Sequence, residues 1–141
     1  MGKSEFGIRK GDDLKSRTKR FALQVLKFVD EFPRSSKGEV LSRQLIRSAP
    51  SVGANYRAAC RAKSRPDFIS KLGNVEEEID EAAYWLELIE EAGVVASSAE
   101  IQLLLGEADE LTAIIVSSIK RSRTQFAPPS SKPFTTAFSS L

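Results

Sequence analysis

The spacing of apolar residues leaves this chain one class of fold. Between about residues 12 and 123 they recur at intervals of three and four, and no segment sustains the strict alternation of a half-buried strand. The first segment, from about Asp12 to Phe32, puts Leu14, Phe21, Ala22, Val25, Phe28, Val29 and Phe32 on one stripe, and Pro33 stops it. The second carries Leu41, Leu45, Ala49, Val52, Tyr56 and Ala59. Pro50 lies inside it and removes a backbone donor, at a cost of about 3 kcal/mol in a regular helix. The stripe keeps its phase across the proline, so one bent helix is expected rather than two. Ser36-Lys37-Gly38-Glu39 reads as its capping box, in which serine and glutamate each satisfy an orphan backbone donor.

In the third segment Ser64-Arg65-Pro66-Asp67 supplies a cap, an early proline and an acid, the signature of a helix start. Phe68, Leu72, Val75, Ile79, Ala82, Leu86 and Ile89 then form a bundle seam, and Gly93 takes the position just past the helix end. The fourth opens at Ser97 with Glu100 three residues on. It carries Ile101, Leu104, Leu105, Ala108, Leu111, Ile115 and Ile119, with Lys120, Arg121 and Arg123 in the last turn, where the helix dipole favours cations. Gly73 and Gly106 inside these helices read as points of close helix approach. Beyond the helix the chain is rich in Pro, Ser and Thr, so residues 124–141 are expected to be a flexible tail and 1–11 a flexible N-terminus. The fold class is all-α: residues 12–123 predict an antiparallel up-and-down four-helix bundle.

The 141 residues suit a single domain. They include no histidine, which removes Ser–His–Asp and Cys–His catalysis, His-ligated zinc and the Glu-x-x-His di-iron sites of some bundles. There is no Gly-rich phosphate loop and no Cys-x-x-Cys pair; Cys60 stands alone beside the apolar stripe and is expected to be a buried thiol. No apolar run approaches the roughly 18–20 residues of a membrane helix, and the opening residues show no secretory h-region. A cytoplasmic protein with no cofactor and no enzymatic activity is the expectation.

A net charge of +2 conceals a strong asymmetry. Residues 1–65 hold 16 Lys/Arg against 6 Asp/Glu, whereas residues 66–141 hold 5 against 13. On the second helix Arg43, Arg47, Arg57 and Arg61 fall within about 80° of one another when each residue turns about 100°, on the side away from the apolar stripe. Lys63 and Arg65 extend that line into the following loop. Guanidinium forks in a row suit phosphate oxygens; the same row could equally meet acids on a neighbouring helix or subunit. The third helix offers such acids in Glu76, Asp80, Glu87 and Glu91, and Glu78 lies near the edge of the stripe, where partial burial would require a partner. Tyr84, Trp85 and Leu88 point away from the seam and form a candidate oligomer interface.

The stretch Ser42-Arg43-Gln44-Leu45-Ile46-Arg47-Ser48-Ala49, with Val52 and Asn55-Tyr56-Arg57-Ala58, resembles the second helix of the bacterial four-helix-bundle family encoded by 23S rRNA intervening sequences. Asp67-Phe68-Ile69-Ser70-Lys71-Leu72-Gly73, Glu77-Glu78 and Tyr84-Trp85-Leu86-Glu87-Leu88 are similar to its third helix. Many members carry Asn-x-x-Glu-Gly where this chain has Asn55-Tyr56-Arg57-Ala58-Ala59, which resembles the more basic branch. The resemblance covers about residues 10–123. It implies a non-enzymatic cytosolic homopentamer, and a related bundle that serves as accessory to a reverse transcriptase in diversity-generating retroelements.

Two functional expectations follow. In the first, an oligomeric, non-catalytic bundle offers its basic surface to RNA or DNA phosphates, or to a reverse transcriptase or other nucleic-acid enzyme. In the second, the protein is an assembly scaffold whose complementary charges meet between subunits.

Overall fold

Four helices make up nearly all of the described chain: α1 (Arg9–Asp30), α2 (Ser36–Cys60), α3 (Arg65–Glu91) and α4 (Ala99–Gln125). The structure, a computed structural model, describes residues 9–96 and 99–125. Each helix packs on the next, and α1 meets α4 to close the ring, as an up-and-down bundle requires. The expected flexible ends differ at their borders. Arg9–Gly11 belong to α1, and Thr124 and Gln125 to α4; residues 1–8 and 126–141 lie outside the described residues.

The predicted stripes form the core. Phe21, Val25, Leu45, Val52, Leu72, Ile79, Leu86, Leu111 and Ile115 are fully buried, and each large aliphatic or aromatic group so buried contributes roughly 1.5–3 kcal/mol. Thr18 fills the gap between Leu14 and Phe21 on the inner face of α1. Its hydroxyl donates to the Leu14 carbonyl at 2.7 Å, which removes the penalty of an unpaired polar group in the core.

Helix ends show where local chemistry decides and where the sequence misled. Ser64 caps α3 as expected, its Oγ accepting from the Asp67 N–H at 3.1 Å. The far end of α3 is a full Schellman closure: Gly93 at φ +70°, its N–H on the Glu90 carbonyl and that of Val94 on the Ile89 carbonyl. The cap of α2 is Ser35, one residue before the expected Ser36; its Oγ accepts from the Gly38 N–H at 3.0 Å. Glycine thus takes the position a capping-box glutamate would hold. A Cβ at Gly38 would lie 2.7 Å from Ser35 Oγ, so this cap needs the missing side chain. α2 runs unbroken across Pro50. The expected cap of α4, Ser97, lies outside the described residues.

Close helix approach occurs at a different glycine from those expected. A Cβ on Gly73 or Gly106 would meet nothing within 4 Å, whereas one on Gly53 would sit 3.1 Å from Thr18 Oγ1. The tight seam is therefore α1 against α2. Cys60, at the end of α2, is exposed rather than buried.

Candidate nucleic-acid interface

A face about 80° wide on α2 straddles two seams, and the structure divides the predicted arginine line between them. Arg47 leans towards α3, where its Nη2 donates to Glu81 Oε2. That oxygen also accepts from the Trp85 indole N–H at 3.2 Å. Arg57 and Arg61 lean the other way, into a groove of about 480 Å³ between α2 and α1. There they meet Lys15 and Lys19, one helical turn apart on α1. Ala22, Pro50, Gly53 and Ala54 form the floor, and among the described residues no carboxylate lines it.

Ion pairs form elsewhere on the bundle. Arg17, on the opposite flank of α1, grips Glu107 of α4 through two bonds of 3.0 and 2.7 Å and reaches Glu110 at 3.0 Å. These bonds to Glu107 and Glu110 push its pKa further above the ordinary guanidinium range, despite partial desolvation. Lys71 pairs with Asp67 at 2.7 Å within α3. Among the described residues Lys15, Lys19, Arg57 and Arg61 form no ion pair. Four cations thus share one concave surface with no carboxylate among its described lining residues.

The other candidates are scattered. Arg43 is exposed on α2; Lys63 is exposed in the α2–α3 loop, where its backbone N–H donates to Asp67 Oδ2 at 3.1 Å; Arg65 is half-buried in the first turn of α3. Neither Arg43, Lys63 nor Arg65 lines the groove. Lys15 and Lys19 were missed in the sequence. Their signal was an i, i+4 pair of like charge beside the small residue Ala22, facing the small residues Gly53 and Ala54 of α2.

Of the expected oligomer surface, Tyr84 is 53% exposed and Leu88 is half-buried. Trp85 is no outward group: it packs against the core and carries Tyr84 edge-on, with ring centroids 5.0 Å apart. The acids Glu76, Glu77 and Asp80 line a separate hollow with Gly73 and Thr112. Among the described residues no group of three or more acidic or Cys side chains is arranged to hold a metal. Glu78 is half-buried in the bundle, with Oε1 enclosed and unpartnered. Desolvation and the charges of Glu81 and Glu77 push its pKa up, against the pull of Arg47.

The bundle, its basic second helix and its α3 seam agree with one family. The model of the 23S rRNA-intervening sequence protein family matches residues 13–117. The chain belongs to that family. A crystal structure of a protein with unknown function from the S23 ribosomal protein family of Bacteroides thetaiotaomicron VPI-5482 is 32% identical and superposes with a TM-score of 0.72. The match spans 79% of this chain and 98% of that one. No curated protein matches the chain. Membership accounts for the four helices and their seams; neither the family description nor the relative's title names a reaction. No described helix is long and apolar enough to cross a membrane.

Proposed function

We propose that this protein is a cytoplasmic, non-catalytic helical bundle that binds nucleic-acid phosphates through the α1–α2 groove, without reading base sequence. The observation that carries the proposal is the meeting of Lys15, Lys19, Arg57 and Arg61 in one groove that, among the described residues, no acid lines. Such a cluster raises the local positive potential and is relieved by a polyanion, which releases its own counterions on binding. Arginine and lysine suit phosphates as well as guanine edges, and the described lining adds no Asn, Gln or acidic group for base reading; the Thr18 hydroxyl is buried and bonded to Leu14. As a homo-oligomer, five subunits being the number that the family resemblance implies, the protein would repeat the groove and gain affinity through multivalency.

The test is charge reversal. Lys19→Glu with Arg57→Glu should abolish binding to generic RNA and DNA at low salt while leaving helicity and subunit number unchanged. Arg47→Glu, outside the groove, should leave binding nearly intact. A second reading is favoured by the acid-lined hollow of Glu76, Glu77 and Asp80 and by exposed Tyr84: the basic groove of one copy meets the acidic side of the next. If the double reversal dissociates the oligomer, that reading replaces the first.

A further inference from the structure

We infer that the outer face of α1 is the seat of α3 from a second copy, so that subunits join head to tail with these two helices parallel. The inference rests on the protein's being a homo-oligomer, and not on the groove's binding phosphates. Its first ground is a pair of matching faces. Leu23 is 58% exposed on α1, on the side away from Phe21 and Val25. Residues three and four apart on a helix are surface neighbours, so Leu23 is ringed by Lys19, Arg20, Leu26 and Lys27, all exposed. On α3 Tyr84, 53% exposed, is ringed in the same way by Asp80, Glu81, Glu87 and half-buried Leu88. An exposed apolar centre rimmed by charge is the anatomy of an interface, and the two rims have opposite sign. Among the described residues Arg20, Lys27, Asp80 and Glu87 form no ion pair within the subunit.

The second ground is direction. α1 and α3 each pack on α2 and α4, so they hold opposite corners of the bundle, and in an up-and-down bundle they run the same way. Copies related by rotation about an axis along the bundle therefore bring α1 of one beside α3 of the next in parallel. With Leu23 against Tyr84 and each residue turning about 100°, the flanks then pair within about one residue of level. Arg20 meets Asp80, Lys27 meets Glu87 and Leu26 meets Leu88. Lys19, at the edge of the groove, falls opposite Glu81, whose carboxylate already holds Arg47. Turned antiparallel, the same faces would set Leu26 on Asp80 and Arg20 on Leu88, leaving those charges unpaired. Because the two faces lie on opposite corners, one pair of copies cannot exchange both contacts. The contact is heterologous and builds a ring or an open filament, never an isologous dimer. Lys15, Arg57 and Arg61 take no part in it.

The test uses the full chain with Cys60→Ser, which removes the exposed native thiol, and adds cysteine pairs. Under mild oxidation Leu26→Cys with Leu88→Cys should give a ladder of disulfide-linked multimers on a non-reducing gel, dispersed by reductant. Neither substitution alone should give a ladder. Leu26→Cys with Asp80→Cys, the pair that an antiparallel contact would join, should stay unlinked. In a second measurement Leu23→Glu, which sets an acid among acids, should convert the oligomer to monomer with an unchanged circular dichroism spectrum. An assembled Leu26→Cys, Leu88→Cys variant that gives no ladder, or an oligomer that survives Leu23→Glu, would overturn the inference and leave the homo-oligomer standing. A parent protein that light scattering shows to be a monomer at micromolar concentration would overturn both. Every variant keeps Lys15, Lys19, Arg57 and Arg61, so nucleic-acid binding remains a separate readout.

Discussion

Along the α1–α2 seam a glycine lets two helices close: Gly53 faces Thr18 with no room for a relaxed side chain. Across the bundle, Gly73 of α3 and Gly106 of α4 face open space. Charge divides along the same line. Among the described residues no acid lines the α1–α2 groove, while the hollow that Gly73 lines holds Glu76, Glu77 and Asp80. Both hairpins bury the same kind of apolar stripe, so the core does not require the difference. It is a difference of surfaces, and it teaches that the arginines of α2 are not one set. Arg47 helps hold α2 to α3; Arg57 and Arg61 belong with α1.

The sharpest way to break the comparison is to give the groove the counter-charge it lacks. Ala54 is exposed on the groove floor, so Ala54→Glu should fold normally. A carboxylate there that cancels two phosphate contacts should weaken duplex binding about a hundredfold near 0.1 M salt. Filter-binding measurements showing unchanged affinity would place the ligand elsewhere.

Arg17→Ala probes the paired flank of α1. Arg17 and Glu107 side chains are 23% and 26% exposed, so most of their bidentate bond is shielded from solvent. Its loss should cost about 1–2 kcal/mol in urea unfolding, with no effect on nucleic-acid affinity. Equal losses of both would mean that Arg17 and the groove act together.

The glycines give a smaller effect with opposite signs. Gly73→Ala and Gly106→Ala should each stabilise the bundle, by up to about 1 kcal/mol, because alanine restricts the unfolded chain and meets nothing when folded. Gly53→Ala should forfeit that gain, since its methyl group must displace Thr18, whose hydroxyl is held by Leu14. Thermal melts in which all three variants behave alike would contradict the tight seam.

Glu78 gives the smallest effect, visible only against pH. Its folded pKa lies above its unfolded value, so on acidification the native state takes up the proton first. Stability should rise as pH falls through the raised folded pKa and level off below the ordinary glutamate value. Glu78→Gln should remove that portion of the pH dependence and melt slightly higher at neutral pH. A variant whose pH profile matches the parent would show that burial and the charges of Glu81 and Glu77 do not raise the Glu78 pKa.

What the sequence revealed and what it hid follow from the range over which each signal acts. Apolar spacing is averaged over six or seven residues per helix, and the stripes of α3 and α4 entered the core almost without exception. Ser64 and Gly93 were readable because a cap depends on neighbours in the chain. Ser35 was not, because adjacent serines compete and Gly38, rather than a glutamate, decided between them. The arginine line was visible as a face, yet a face spanning two seams does not say which neighbour each end meets. Lys15 and Lys19 joined the site through packing across α1 and α2, a contact between residues about 40 apart in sequence. The glycines failed for a similar reason: composition marks a missing Cβ but not the direction in which it would point.

The central claim is that the α1–α2 groove is a phosphate site, and the most direct test is the salt dependence of the parent protein's affinity for duplex DNA. Four contacts in one groove predict that log K falls against log salt with a slope of about −3.6, steeper if several subunits engage one duplex. Lys19→Gln and Arg57→Gln should each reduce that slope by about 1 per groove. A slope near zero, or one that neither substitution changes, would contradict the account.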